Sequence, residues 1–164
     1  MNMEVNKIIS RKIISASISG SMFAILLGLF VPNPFGETIS SIPHYLFAMV
    51  LSTPVYLMYS FPAILIYGVL TSTISDKVSS FIATKMKNEK SEIILSGILH
   101  VVFGLILLFY SLGASLLFFI TDRFLQKKNK DYKPLQSIKS LAIPLAVWLI
   151  FMGIVYLEHI LNGG

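Results

Sequence analysis

The chain has 164 residues, of which 55% are hydrophobic and 13% are charged. A charged share about half that of an ordinary soluble domain excludes a water-soluble globular protein. The net charge of +5 does not indicate nucleic-acid binding, because the basic residues lie in three short segments beside apolar runs and no nucleic-acid-binding module accompanies them.

Four stretches contain no Asp, Glu, Lys or Arg: residues 13–36, 38–75, 93–121 and 140–157. A bilayer core roughly 30 Å thick requires about 20 apolar residues in a helix, so each stretch is long enough to enter a membrane. The sequence therefore predicts an all-α polytopic transmembrane helical bundle, a single domain over residues 1–164 with four to five membrane segments. Their predicted positions are about 13–31, 46–70, 93–109, 113–125 and 140–157.

The first segment, Ile13 to Val31, is predicted to be an anchor, because it is longer than the apolar part of a signal peptide and lacks a small-residue cleavage pattern. Small residues recur in it at every fourth position, which places them on one helix face that another backbone can approach closely. They are Ala16, Gly20, Ala24 and Gly28. Their partner is an internal helix, a second copy or another membrane protein, unless the pattern reflects only how frequent Gly and Ala are in membrane helices.

The second segment follows a loop broken by Pro32, Pro34 and Gly36. This loop has no Lys or Arg and is expected to face outward. Pro54 and Pro62 lie inside the segment, where each removes a backbone donor and favours a kink. Nearby hydroxyls, those of Ser52, Thr53 and Ser60, are expected to bond the freed carbonyls. The kinks serve either gating or shape.

A short amphipathic interfacial helix is predicted over residues 75–88. Ser75 is expected to cap it, and Asp76 to complement its dipole in the first turn. Apolar residues then recur at helical spacing while Lys, Ser and Thr occupy the other faces. A solvated linker is the alternative.

The run from Ile93 to Thr121 has 29 residues, roughly 43 Å of helix, which is too long for one upright crossing and too short for two full ones. If it crosses once, seven basic residues lie on one side of the membrane and six on the other; a hairpin places all 13 on one side. The positive-inside rule favours the hairpin. We therefore predict a turn near Tyr110–Gly113, a cytoplasmic amino terminus and an external carboxyl terminus, with Asp122 and Arg123 near the inner headgroups.

Two stretches carry a resemblance to known proteins. Residues 62–72 (PAILIYGVLTS), followed by Ser75-Asp76-Lys77, and residues 117–123 (LFFITDR) are similar to patterns in small uncharacterised polytopic membrane proteins of Bacillus-type bacteria. The resemblance covers about a quarter of the chain and implies a multi-pass protein of a bacterial plasma membrane. It implies no catalytic or ligand residue.

Motifs of enzyme chemistry are absent from the sequence, including a zincin motif, a Walker loop and a Gly-x-Ser-x-Gly elbow. We predict no enzymatic activity, no cofactor and no bound metal. His100 lies deep in a predicted membrane segment, where ionisable residues are typical of functional sites. The two interpretations are a proton or ion relay and a neutral, hydrogen-bonded packing histidine, and the second is favoured because no charged partner is evident.

A second constellation arises from the predicted topology, which places Glu37, His44, Glu158 and His159 on the outer surface. Two imidazoles and two carboxylates are able to ligate zinc, although solvated loop residues explain the same pattern.

Two function classes remain. The favoured class is a non-enzymatic membrane protein that acts by helix–helix or lipid association through the small-residue face and the basic inner surface. The second class is a small transporter or channel subunit built around kinked helices and His100.

Overall fold

The computed structural model describes residues 2–34, 36, 38–86, 89–106, 109–128 and 131–161, and this part of the chain is helical and contains no strand. The all-α prediction is confirmed. The elements are α1 (Asn2–Phe30), α2 (Ile42–Ala63), a π-helical segment (Ile64–Gly68), α3 (Val69–Met86), α4 (Glu89–Ile106), α5 (Phe109–Lys128), α6 (Pro134–Ser140) and α7 (Ala142–Leu161).

Three helices are long and apolar enough to cross a membrane: Met3–Phe30, Ile42–Lys85 and Pro134–Leu161. The second joins α2, the π-helical segment and α3, and the third joins α6 and α7. Glu92–Leu105 is apolar but shorter. The described residues therefore contain three helices of spanning length, against the predicted four to five membrane segments.

Helix α1 lies at the centre of the fold and packs against α2, α5 and α6. Gly28, near the end of α1, lies against Thr53, and Gly20, earlier in α1, lies against Phe61. Because the earlier residue of α1 meets the later residue of α2, the two helices run antiparallel. Helix α5 is antiparallel to α1 as well, since Gly113 faces Phe23 while Asp122 bonds a residue near the start of α1. The apolar core lies where these helices meet, with Ala16, Ile64, Ala114 and Phe118 buried together.

Helices α4 and α5 also pack side by side and antiparallel. A Cβ built on Gly104 would lie 2.9 Å from the Ser115 Cβ, and one on Gly97 would lie 3.4 Å from the Phe119 ring. Their connection falls at residues 107–108, outside the described residues. The run predicted to form a hairpin is thus two helices folded against each other.

The predicted turn at Tyr110–Gly113 is wrong, because these four residues lie inside α5. A helix tolerates one interior glycine at a cost of about 1 kcal/mol. Contacts with two neighbouring helices oppose that cost: the Ser111 hydroxyl donates to the Gly104 carbonyl on α4, and Gly113 faces α1.

The separate helix predicted over 75–88 is also wrong. The chain stays helical from Ile42 to Met86 and Ser75 does not cap a new helix; its side chain is fully buried inside α3. Nothing between Gly68 and Ser75 breaks the helix, and α3 gains burial by packing along α4, where Ser79 and Ala83 are buried.

The prolines act as helix starts and distortions. Ser41 caps α2 by accepting from the His44 amide at 3.3 Å, with Pro43 in the first turn. The hydroxyls before Pro54 donate to the Met49 carbonyl, Thr53 at 2.8 Å and Ser52 at 3.2 Å. The Ser60 hydroxyl has no partner among the described residues. The π-helical segment begins two residues after Pro62, which has no amide hydrogen to continue the α-helical pattern.

Candidate functional site

Five charged side chains from three helices form a buried cluster at one end of the bundle, which we call the ion network. They are Arg11 and Lys12 of α1, Asp76 of α3, and Asp122 and Arg123 of α5. The antiparallel packing explains their meeting, because the first half of α1 lies beside the first half of α3 and the second half of α5.

Lys12 occupies the centre of the ion network and is 0% exposed. Its Nζ lies 2.7 Å from Asp76 Oδ2 and 3.2 Å from Asp122 Oδ2, and it donates to the Ser72 hydroxyl at 2.6 Å. Three acceptors match the three hydrogens of an ammonium group. Ser72 and Asp76 are four residues apart in α3 and therefore share one helix face.

Asp122, 1% exposed, is the most buried acid of the ion network. Arg11 binds both of its oxygens, Nε at 2.8 Å and a terminal nitrogen at 3.3 Å, in the two-pronged geometry typical of arginine–carboxylate pairs. The Ser15 hydroxyl, one helical turn after Arg11, lies 3.2 Å from Asp122 Oδ1. Asp122 thus fixes the position of α5 against α1.

Arg123, the next residue, points toward α3 and α4 because adjacent helical residues are about 100° apart. Its terminal nitrogen lies 2.5 Å from Asp76 Oδ1 and donates to the Ser96 hydroxyl of α4 at 2.7 Å, while its guanidinium stacks 5.3 Å from the Phe119 ring centre. Ser96 in turn donates to Asp76 at 3.1 Å. Arg123 therefore brings α4 into contact with the ion network.

The ion network holds three cations and two anions, a net charge of +1. Moving charges away from water costs several kcal/mol each, so a buried network persists only when every charge has close partners. An uncompensated positive charge at this depth attracts anions to the surface beside it.

A groove of about 870 Å³ opens beside the ion network, and we call it the basic groove. Its charged lining consists of Arg11, Lys77, Lys85 and Arg123 together with Asp76 and Glu92. Its apolar lining includes Val5, Ile8, Ile9 and Phe81, all of them exposed. Lys77 and Lys85 form no ion pair with a described residue, and Lys85 lies 5.6 Å from the centre of the Phe81 ring.

His100 is 4% exposed and lies behind the ion network on α4. Its ring stands 5.0 Å from the Phe119 ring and 6.4 Å from the Phe118 ring, measured between ring centres. Its Nδ1 lies 2.8 Å from the Ser96 carbonyl, and its Nε2 has no partner among the described residues. No carboxylate among the described residues bonds His100, and the Ser96 hydroxyl donates to Asp76 while the Ser96 carbonyl contacts the His100 ring.

The small-residue face of α1 lies against other helices of the same chain. Ala16 and Ala24 are 0% exposed. A Cβ on Gly28 would lie 2.3 Å from Thr53 Oγ1, and one on Gly20 would lie 3.0 Å from the Phe61 ring. The observed partners of this face are thus α2 and, at Ala16, the π-helical segment and α5.

The outer constellation is not assembled in the part of the chain that the structure describes. Glu37 lies outside the described residues, and no three His, Cys, Asp or Glu side chains among the described ones are close enough to hold a metal ion. His44, Glu158 and His159 therefore do not form a three-residue metal site.

The ion network is the main feature that the sequence reasoning missed. From the sequence, the basic residues beside the apolar runs, Arg11 and Lys12 among them, are expected to set the orientation; Asp76 is expected to complement a helix dipole, and Asp122 and Arg123 to lie near the inner headgroups. The available signal was positional, because each charged residue borders an apolar run, and antiparallel packing brings such borders together. Comparison with protein-family models, curated proteins and solved structures finds no match to this chain.

Proposed function

We propose that this chain is a non-enzymatic, multi-pass membrane protein that acts by association with lipid, and that the basic groove holds an anionic phospholipid. The observation that carries the proposal is the composition of the groove, in which four cations and two acids adjoin an exposed apolar wall. A phospholipid offers the matching pair of groups, a phosphate for the cations and an acyl chain for the apolar wall.

The cations of the basic groove divide into two kinds. Arg11 and Arg123 are already paired with Asp76 and are held in place by it. Lys77 and Lys85 have no acidic partner among the described residues and carry long side chains that reach a headgroup flexibly. We therefore assign recognition of the phosphate to the two lysines. The two arginines contribute a fixed positive electrostatic potential to the groove.

We further propose a bacterial plasma-membrane location, with the amino terminus in the cytoplasm and the carboxyl terminus outside. Support comes from the meeting of the basic segments at one end of the bundle: Arg11 and Lys12 contact Asp76 of α3 and Asp122 of α5, and Lys7 lies 2.6 Å from Asp131. The positive-inside rule places such an end in the cytoplasm. Five crossings, with α4 and α5 as a hairpin, satisfy this arrangement.

The proposal is tested by binding of purified protein to lipid nanodiscs or mixed micelles that contain phosphatidylglycerol or phosphatidylcholine. Each lysine near a membrane surface contributes about 1 kcal/mol to attraction of anionic lipid, so Lys77→Gln with Lys85→Gln should weaken binding of phosphatidylglycerol by about 30-fold. Binding of phosphatidylcholine should stay unchanged.

Lys133→Gln with Lys139→Gln is the matched control, because it removes the same charge from exposed residues of the same basic end that do not line the groove. Equal losses in the two double variants would show that net charge alone attracts the lipid and would remove the groove from the proposal.

Transport by a small channel or carrier is the second candidate function. The observation in its favour is the π-helical segment, since π-helical turns in membrane and soluble helices are frequent at functional sites, and Ile64, Tyr67 and Gly68 of this segment approach His100 around one small cavity. Proton and cation flux into proteoliposomes tests it. A flux abolished by both His100→Gln and His100→Leu would replace the association proposal with transport.

A further inference from the structure

The lining of the basic groove contains one acid that the ion network does not use. Of its two carboxylates, Asp76 bonds Lys12 and Arg123, whereas Glu92 has no hydrogen bond or ion pair with a described residue. Glu92 is partly exposed. An unpaired carboxylate repels a phosphate, so attraction between opposite charges does not by itself account for Glu92 in this lining.

The register of α3 and α4 determines what lies opposite Glu92. These helices follow each other across residues 87–88 and pack side by side, which makes them antiparallel. Asp76 meets Ser96 across their interface, through a hydrogen bond of 3.1 Å. One helical turn nearer the basic end, Ser80 therefore lies opposite Glu92, since residues four apart share a helix face. Ser80 is exposed, and its hydroxyl has no partner in the part of the chain that the structure describes.

Helix α5 adds a third polar group to the lining, the amide of Gln126. Its Oε1 atom accepts from the Arg123 guanidinium at 2.8 Å, while its amide nitrogen has two hydrogens and bonds no residue that the structure describes. Arg123 also bonds Ser96, and α4 and α5 are antiparallel. One turn further along α5, Gln126 therefore lies at the level of Glu92.

A carboxylate, a hydroxyl and an amide together are suited to bind alcohol groups. The carboxylate accepts hydrogen bonds from hydroxyls, the amide nitrogen donates to them, and the serine hydroxyl does either. The lysines that we assign to the phosphate line the same groove. An ammonium headgroup would also donate to the carboxylate, but it would cancel the charge of the phosphate, and four cations against two acids favour a ligand that stays negative.

We propose that the basic groove selects anionic phospholipids whose headgroup is a polyol, of which phosphatidylglycerol is the simplest example. This inference rests on the proposed function, in which Lys77 and Lys85 hold the phosphate. Glu92 accepts a hydrogen bond from a headgroup hydroxyl, and Ser80 and Gln126 bond the headgroup oxygens. Glu92 is thus a specificity-determining residue, because its carboxylate favours a headgroup that donates and disfavours one with further negative charge.

A comparison of phosphatidylglycerol with phosphatidylpropanol tests the proposal, because the two lipids carry the same charge and differ only in the two hydroxyls of the headgroup. Native mass spectrometry of the protein in detergent, titrated with each lipid, gives the ratio of the two dissociation constants. A hydrogen bond to a charged acceptor contributes about tenfold or more to binding, so the wild-type protein should prefer phosphatidylglycerol by about that factor.

Glu92→Ala removes the carboxylate and should reduce this preference to about twofold or less. Glu4→Ala is the matched control, because it removes the same charge from an exposed position of α1 that does not line the groove. This control should keep the wild-type preference. If Glu92 acted through its charge alone, both variants would bind both lipids more tightly and the ratio would not change, and that result would overturn the proposal.

The lysine double variant separates failure of this inference from failure of the proposed function. Weaker binding of both lipids to the Lys77→Gln, Lys85→Gln protein, together with a wild-type ratio near one, would keep the phosphate site and refute selection of the headgroup. Unchanged binding of both lipids to that variant would refute the proposed function, and the selection of a polyol headgroup with it.

Discussion

At the scale of single residues, the charge balance of the ion network makes its members unequal. Lys12 and Asp122 are both almost completely buried, but Lys12 belongs to the sign that is in excess. Without Lys12, two arginines face two aspartates. Without the charge of Asp122, three cations face one aspartate. The energetic consequences of the two losses should therefore differ widely.

We expect Asp122→Asn to lower the free energy of unfolding by about 3 to 5 kcal/mol, because Arg11 and Lys12 then lose a carboxylate at 2.8 and 3.2 Å while remaining buried. Lys12→Met, which keeps the length of the side chain, should cost at least about 2 kcal/mol less, since the network becomes neutral. Denaturant unfolding in mild detergent, followed by circular dichroism, measures both values.

Asp131→Asn provides the control for this comparison. The hydrogen bond from Lys7 at 2.6 Å holds the pKa of Asp131 below its usual value, yet both side chains are largely exposed, so water screens the pair. The unfolding midpoint should hardly change. A Lys12→Met variant as unstable as Asp122→Asn would refute the argument from charge excess.

At the scale of helices, the sequence predicts the apolar runs and their breaks well and the helix junctions poorly. The break after α1 at residues 31–34 follows directly from two prolines. Two other features do not follow from the sequence: the helix that continues through Ser75, and the position of the turn before Tyr110. Serines that could cap a helix and isolated glycines are tolerated inside helices when neighbouring helices bury them. The sequence pattern therefore indicates the region in which a helix ends, and packing against neighbouring helices determines the residue at which it ends.

The ion network was unpredictable for a related reason. Its ion pairs join residues 47 to 111 positions apart in the chain, and a single sequence contains no periodicity that pairs such distant residues. His100 was recognised because it stands alone inside an apolar run. Lys12 and Asp122 stand at the edges of such runs, where charged residues are ordinary.

The glycines of α1 give a prediction about helix packing. Gly28→Ala should lower the free energy of unfolding by about 1 to 3 kcal/mol, because its Cβ would lie 2.3 Å from Thr53 Oγ1 and 3.3 Å from the Met49 carbonyl oxygen. Gly153→Ala on α7 is the matched control, since nothing lies within 4 Å of its Cβ position. Its stability should stay equal or rise slightly. Thermal unfolding in detergent compares the two.

A double variant locates the cause. In a Thr53→Ala background the nearest clashing atom is gone, so the cost of Gly28→Ala should become smaller. An unchanged cost would indicate that Thr53 is not the residue against which Gly28 packs. It would also argue against the observed register of α1 and α2.

At the scale of the whole molecule, four helices run antiparallel in chain order: α1, the long second helix, α4 and α5. Each of them therefore finishes at the opposite end of the bundle from the one before it. The ion network, the basic groove and the basic segments are then all at one end, and the proline-containing loop at residues 31–41 is at the other. Helix α7 starts near the basic end, because Ser140 lies 3.2 Å from Ser17 through their hydroxyls. In this architecture, the side of the membrane that each loop faces determines both the number of crossings and the orientation.

That question has a direct measurement, since the chain contains no cysteine and single cysteines can be introduced without background. Ser40→Cys lies in the loop between α1 and α2, and Lys133→Cys lies just before α6; both positions are exposed. A membrane-impermeant maleimide should label Ser40→Cys in intact cells and Lys133→Cys only after permeabilisation, because the positive-inside rule places the basic end in the cytoplasm. A reporter fused after Gly164 should be external. Labelling of Lys133→Cys in intact cells would exclude the α4–α5 hairpin as two crossings and leave a four-crossing protein, in which Arg123 lies on the other side of the membrane from the other three cations of the basic groove.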